Sequence, residues 1–302
     1  MFASHHFKRF AICLAALAVA LIVSAGLAHA QAVPETSEPE LVVYKTTTNS
    51  EGEAVELKLH IFKPDGWRAQ DQRPVIVFFF GGGWRGGTPA QFYPQCRDLA
   101  DRGMVTISAE YRVQSRHGTA PVACVEDGRS AVRYIRSHAE QLGIAPDRLA
   151  AGGGSAGGHV AVCTALIDDV NAQTDDLEVS AVPNALALFN PVLDTTRETG
   201  YGGDRMGDDD QRLSPVHRVF EGQPPSIVFH GTADTTVPIE SVRRFAEASR
   251  ELGARCELVE YEDQGHGFFN HTDFRRNNNI DIYYDTMDRT VAFLVESGIL
   301  EP

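Results

Sequence analysis

Leu149-Ala150-Ala151-Gly152-Gly153-Gly154-Ser155-Ala156-Gly157-Gly158-His159 decides how the rest of the chain is read. A short apolar run, predicted as a buried strand, breaks into five glycines around one serine, and a helix is predicted over Ala156 to Asp168. Gly153-Gly154-Ser155-Ala156-Gly157 has the pattern Gly-x-Ser-x-Gly. A serine at so sharp a turn must take a strained backbone angle, and its neighbours two positions away must lack bulk for the turn to close. The turn lifts the hydroxyl out of the sheet. It also leaves the Ala156 N–H unpaired at the first turn of a helix, where a developing anion is favoured. Glycine-rich turns also cradle phosphates, but no Gly-Lys-Ser/Thr follows and no acidic ribose partner is evident.

Outward from this point, continuous apolar runs alternate with longer amphipathic stretches. Strands are predicted at Val75 to Phe80, Met104 to Ala109, Leu149 to Ala151, Ala185 to Phe189, Ile227 to His230 and Cys256 to Tyr261. Helices are predicted at Pro89 to Arg102, Val122 to Leu142, Ala156 to Asp168, Ile239 to Leu252 and Tyr283 to Ser297. Strands buried on both faces and joined by crossover helices make a parallel sheet in one α/β domain, residues 41–302. Leu41 to Thr47 and Ala54 to Phe62, flanking Asn49-Ser50-Glu51-Gly52, add an antiparallel hairpin at its edge. Residues 194–223 break the alternation and read as a small polar flap or loop, with seven carboxylates against four arginines. Within it, three adjacent aspartates, Asp208 to Asp210, lack the alternate spacing of a calcium loop.

A serine hydroxyl needs a base, and the base needs an orienting acid. Asp234 follows the strand ending at His230, and His266 follows the strand ending at Tyr261, so both are predicted at the sheet edge that carries Ser155. Asp263 is the runner-up acid. Phe80-Gly81-Gly82-Gly83-Trp84 follows the first parallel strand, where Gly82 and Gly83 can present backbone N–H groups to an oxyanion, with Ala156 as a third donor. Trp84, Phe268 and Phe269 are candidate substrate contacts, with Phe92 and Tyr93 also flanking the site. Arg112 with Glu126 or Asp127 is predicted to brace the sheet, His159 to pack beneath the serine turn, and His230 to hold the Asp234 loop. No metal and no cofactor is expected.

These segments, with Glu110-Tyr111-Arg112 and Cys124-Val125-Glu126-Asp127, resemble the α/β-hydrolase esterases. The nearest branches are the hormone-sensitive-lipase-like esterases and the secreted carbohydrate acyl esterases, which remove acetyl or feruloyl groups. The chain departs from the His-Gly-Gly-Gly form of the oxyanion loop, because Phe80 stands where the histidine would be. The resemblance implies an α/β-hydrolase fold, with helices on both faces of the sheet, and a serine esterase. Ser155 is the implied nucleophile, His266 the base and Asp234 its partner. A short-chain lipase or carboxylesterase of general specificity, a prolyl-oligopeptidase-like peptidase and a catalytically dead binding module are the alternatives.

Charge narrows the partners. With 27 Lys and Arg against 41 Asp and Glu, the chain is at −14, and no basic block is present, which excludes nucleic acid as a partner. Residues 1–30 have the cationic start, apolar run and Ala28-His29-Ala30 end of a secretory signal, although the run approaches the length of an uncleaved anchor. Cleavage would leave a polar segment, 31–40, ahead of the domain and 25 cations against 41 acids, a net −16. A secreted or periplasmic protein without stable membrane association is expected, acting on a small-molecule or glycan ester. A polar flap and an acidic surface favour a small acyl group on a neutral carbohydrate or other polar alcohol. An oxidising compartment permits disulfides, and Cys96–Cys124 is the suspected pair, four free buried thiols being the alternative.

Overall fold

The computed structural model describes residues 38–302, so the expected signal at 1–30 and most of the polar segment at 31–40 lie outside the described residues. Eight strands form one sheet: β1 (Glu40–Thr48), β2 (Ala54–Phe62), β3 (Arg73–Phe79), β4 (Val105–Ala109), β5 (Ile144–Gly154), β6 (Ala185–Phe189), β7 (Ser226–Gly231) and β8 (Cys256–Tyr261). Their order is β1-β2-β4-β3-β5-β6-β7-β8. β1 and β2 pair antiparallel, β2 joins β4 antiparallel, and every later pairing is parallel. The expected hairpin is thus the antiparallel edge of a parallel sheet.

Alternate residues of the central strands feed two apolar layers. Val75, Val77 and Phe79 of β3 face one side, packed with α2 (Pro121–Ser137), α3 (Ala156–Leu166) and α4 (Ile239–Glu251). Ile76 and Phe78 face the other, packed with α1 (Tyr93–Ala100) and α5 (Ile280–Glu296). The period of two in a strand produces this split, and it leaves both faces dry. It also corrects the suspected disulfide. Cys96, on α1, belongs to one layer and Cys124, on α2, to the other, with the sheet between them. Cys96, Cys124, Cys163 and Cys256 are all free and buried, and Cys124 Sγ donates instead to the Arg112 carbonyl.

Helix boundaries differ from expectation where the backbone turns. The segment from Pro89 begins as a 3-10 turn (Pro89–Phe92) before α1, and the long helix expected to Leu142 breaks at His138, whose φ of −105° and ψ of 23° leave the helical region. A short helix, Ala139–Leu142, follows.

The hairpin is fastened to the domain by a buried ionic cluster. The Asp127 carboxylate, on α2 and fully buried, accepts from Lys45 Nζ at 2.7 Å and from Arg112 Nε at 2.8 Å, Nη2 at 2.9 Å and the backbone N–H at 2.9 Å. Arg112 Nη2 also reaches Glu126 at 3.0 Å. The expected Arg112 brace therefore uses both acids and gains Lys45 from β1. Removing one member of a buried cluster leaves the others charged and unpaired, a loss of about 3–5 kcal/mol. Asp127→Asn should lower the unfolding free energy by that amount, read in urea as a lower midpoint with the slope unchanged. A loss below about 1 kcal/mol would contradict the structural weight given to the cluster.

Candidate active site

The parallel strands end together, with Phe79, Gly153 and Gly154, Phe189, and Gly231 and Tyr261 in register at one edge. Every candidate loop leaves from that edge. Ser155 sits between β5 and α3 at φ 53° and ψ −121°, a backbone conformation that costs a non-glycine residue about 1–3 kcal/mol. The turn is closed from all sides. A Cβ at Gly153 would lie 2.5 Å from the Gly157 carbonyl oxygen, and one at Gly157 would lie 2.0 Å from that of Phe79. The glycines two positions either side of the serine are thus required by backbone contact. The Ser155 N–H donates to Phe189 O at 3.0 Å, and its carbonyl accepts from His159 and Val192, so the strained residue is held by three backbone hydrogen bonds.

His266 Nδ1 and Asp234 Oδ2 are 2.7 Å apart. Asp234 Oδ1 accepts from the Thr236 and Val237 N–H groups at 2.8 and 3.0 Å, so both carboxylate oxygens have partners. Burial alone would raise the Asp234 pKa, but the His266 hydrogen bond and the two backbone donors outweigh it and hold the carboxyl below its ordinary value. An ionised Asp234 fixes the imidazole tautomer with its proton on Nδ1 and Nε2 free to accept. Asp263, the alternative acid, is exposed and makes no bond to His266. Its N–H donates to Thr232 Oγ1, and its φ of 55° marks a turn. His230 Nε2 lies 2.9 Å from the Val237 carbonyl, which ties β7 to the Asp234 loop as expected. Burial lowers its pKa.

Ser155 and His266 line one cavity of about 420 Å³, of the size that takes a small ligand. No hydrogen bond joins them among the described residues. Asn190, which follows β6 at φ 35°, places its Nδ2 2.9 Å from His266 Nδ1 and 3.0 Å from Nε2. An atom so nearly equidistant from the two ring nitrogens lies over the face of the imidazole, so the Asn190 amide packs against the ring and leaves the in-plane lone pair of Nε2 open to the serine proton. Sequence reasoning missed Asn190. The signal was its place at the end of a central strand, on the same edge as the three side chains it joins.

The oxyanion candidates lie in the same cavity wall. Gly82 and Gly83 take φ of 134° and 60°, and no protein acceptor for their N–H groups exists among the described residues. The Gly81 N–H, by contrast, is used by Gln91 Oε1 at 2.6 Å. Ala156, the first residue of α3, has an N–H with no partner inside the helix. A Cβ at Gly82 would lie 2.3 Å from the Gly86 carbonyl oxygen, which explains the glycine. Replacing the family's histidine by Phe80 leaves the loop braced: Tyr111 Oη donates to Phe80 O at 2.5 Å, and the two rings stack with centroids 4.2 Å apart.

The aromatic candidates separate. Phe269 reaches the cavity, but Trp84 and Phe268 do not line it. Trp84 is 1% exposed because its φ of 59° turns the ring inward, where Nε1 donates to His159 Nδ1 at 3.3 Å. Phe268 is buried against Tyr261, with ring centroids 4.8 Å apart. Phe92 stacks on Phe78 in the core, and Tyr93 hydrogen-bonds His60 instead of facing Ser155. His159 has the supporting place expected of it. Its Nε2 lies 2.7 Å from Leu213 O of the flap, and burial lowers its pKa to about 4, so a neutral imidazole links α3, the oxyanion loop and the flap. Asn270-His271-Thr272 has the spacing of a glycosylation acceptor, yet Asn270 is 2% exposed and its amide is engaged by Gly267 and Gln91. Among the described residues, no group of three or more His, Cys, Asp or Glu could hold a metal ion.

The flap at 194–223 is ordered and anchored. Asp194 accepts from the Thr196 N–H and hydroxyl at 2.9 and 2.7 Å, from Thr199 Oγ1 at 2.8 Å and from Arg244 Nη2 at 2.5 Å. Burial pushes its carboxyl pKa up, but these donors outweigh it and the net shift is downward. Met206 and Leu213 are buried in the core, and Tyr201 and Arg205 line the cavity. The flap's acidic composition therefore says little about the face it turns to the site.

Residues 59–199 match the BD-FAE family, and residues 201–295 match the dienelactone hydrolase family. Carboxylic ester hydrolase LipN of Mycobacterium tuberculosis is 30% identical over 279 residues, 84% of this chain and 72% of its own. Esterase LipC of the same organism is 29% identical over 228 residues, 68% of this chain and 56% of its own. The chain spans about half the length of several curated relatives that it matches. Among solved structures, apo esterase 2 of Thermogutta terrifontis superposes with a TM-score of 0.82 at 48% identity, covering 89% of this chain and 98% of that one. Fold, sequence similarity over most of the chain and the arrangement at the sheet edge agree: this chain belongs to the α/β-hydrolase family of carboxylic ester hydrolases.

Proposed function

We propose that this protein is a serine carboxylic ester hydrolase in which Ser155, His266 and Asp234 act together. The observation that carries the reading is the 2.7 Å contact between His266 and an ionised Asp234 at a cavity shared with Ser155 and unpaired backbone donors. Ser155 Oγ attacks the ester carbonyl and gives its proton to His266 Nε2, whose in-plane lone pair the Asn190 amide leaves open. Asp234 stabilises the imidazolium, and the Gly82, Gly83 and Ala156 N–H groups hold the oxyanion. The imidazolium then protonates the departing alcohol, and water repeats the sequence on the acyl-enzyme.

For substrate we favour a small acyl group, acetyl or feruloyl, on a carbohydrate or other polar alcohol. The cavity wall mixes polar and apolar surface, with Thr88 and Thr236 available to hydroxyl groups and Phe269 to an acyl chain or ring. Structures of the related Thermogutta esterase hold propionate and butyrate, which accords with a small acyl group. We place its work outside the cytoplasm, on the signal-like pattern of residues 1–30.

The test is kcat/KM on para-nitrophenyl esters of rising chain length beside acetylated xylan and feruloyl esters. Short acyl groups should lead, and Ser155→Ala should lose about 10⁶-fold, with Asp234→Asn losing about 10⁴-fold. A clear optimum at long chains would overturn the substrate class, and Ser155→Ala turnover near wild type would overturn the mechanism.

The rate should fall in acid, because only a neutral imidazole accepts the serine proton. Asn190→Asp sets an anion against the ring, which favours the imidazolium and should move the acid limb of the kcat/KM profile to higher pH. A limb unmoved by this change would show that residue 190 does not face the working imidazole.

A further inference from the structure

The cavity wall contains three arginines, Arg85, Arg205 and Arg275, and no aspartate or glutamate. In a chain with 41 acids against 27 bases, that local excess is opposite in sign to the whole. None of the three forms an ion pair within 4 Å among the described residues, so no carboxylate of the protein neutralises them, unlike Arg112 or Arg133.

Two of the three are fixed in place without being neutralised. Arg205, on the flap, uses Nη1 to reach Gly83 O at 3.3 Å and Tyr201 Oη at 3.2 Å, and its guanidinium lies 5.1 Å from the Tyr201 ring centroid. Arg275 uses Nη1 to reach the His266 carbonyl at 2.8 Å. One guanidinium thus touches the oxyanion loop and the other the histidine loop, the two segments that flank Ser155. Each retains Nε and Nη2 donors with no protein partner, and these atoms are not sealed from solvent. Arg85 makes no side-chain hydrogen bond and is exposed at the same wall. A guanidinium held by carbonyl oxygens stays fully charged, and its remaining N–H pair matches the two oxygens of a carboxylate.

We infer that this site selects esters that also carry a carboxylate, which Arg205 and Arg275, with Arg85 at the rim, bind while Ser155 attacks the ester carbonyl. The inference rests on the serine hydrolase reading and refines its substrate from a neutral polar ester to an anionic one. Over short distances the facing guanidinium groups outweigh the acidic surface, since charges beyond a Debye length of about 8–10 Å are screened in physiological salt.

The test compares esters matched in all but charge. Para-acetoxybenzoate is set against para-acetoxybenzamide for a carboxylate on the alcohol side. The para-nitrophenyl hemiester of adipic acid is set against para-nitrophenyl hexanoate for one on the acyl side. At low ionic strength the anionic ester of at least one pair should lead in kcat/KM by about tenfold or more, chiefly through KM. That ratio should fall towards one in Arg205→Gln/Arg275→Gln and with added salt, and Lys at both positions should restore part of it. Because the reading is a ratio, a general loss from loosened loops cancels. Neutral esters leading in both pairs, or a ratio indifferent to the double substitution, would overturn the inference while leaving the hydrolase intact. Failure to turn over any of the four esters would instead count against the hydrolase reading itself.

Discussion

The site depends on one turn. Between β5 and α3 the chain reverses through Ser155 at a positive φ, with the Phe79 and Phe80 carbonyls pressed against Gly157 and the Gly157 carbonyl against Gly153. No side chain fits at either flanking position, so the glycines are dictated by the backbone and the serine is the one residue free to project. The strain of about 1–3 kcal/mol is offset by hydrogen bonds to β6 and into α3 and by two apolar layers that fix strand and helix on either side. Chemistry follows from that geometry. The hydroxyl stands at the strand ends, where the loops carrying Asp234, His266 and Asn190 also leave the sheet.

Electrostatics around the turn are arranged by hydrogen bonding against burial. Asp234 would be raised by its surroundings, yet His266, Thr236 and Val237 keep it anionic. His159 has no carboxylate partner, and burial keeps it neutral, as a link between Trp84 and the flap needs. The same contrast separates the molecular surface from the cavity. Net charge describes the long-range field, while Arg205 and Arg275 describe what a bound substrate meets.

Much of this was legible in the sequence, for reasons that also mark where legibility ends. Strand period and glycine punctuation place Ser155, Asp234 and His266 at one edge, because a parallel sheet sends every crossover loop to the same end. The hairpin and the Arg112 brace follow from equally local patterns. The pairing of Cys96 with Cys124 failed because proximity along predicted helices ignores which face of the sheet each helix covers. Trp84 flanks the site in sequence and reads as a substrate contact, but its left-handed backbone goes with a ring turned into the core. Asn190, Arg205 and Arg275 act from loop positions whose direction no periodicity reports. The flap shows the same limit, since its acids face solvent or are held by partners away from the cavity, as Asp194 is by Thr196, Thr199 and Arg244, while Arg205 lines the cavity.

The central claim is that residue 155 is a nucleophile activated by His266, and covalent capture tests it most directly. A structure of the related Thermogutta esterase is of the enzyme phosphorylated by paraoxon. After exposure of this protein to paraoxon, intact mass and peptide mapping should find one diethylphosphoryl group, on Ser155, its appearance tracking loss of esterase activity and slowing greatly in His266→Ala. An unmodified Ser155 in an inactivated protein, or an adduct that forms as fast without His266, would contradict the account.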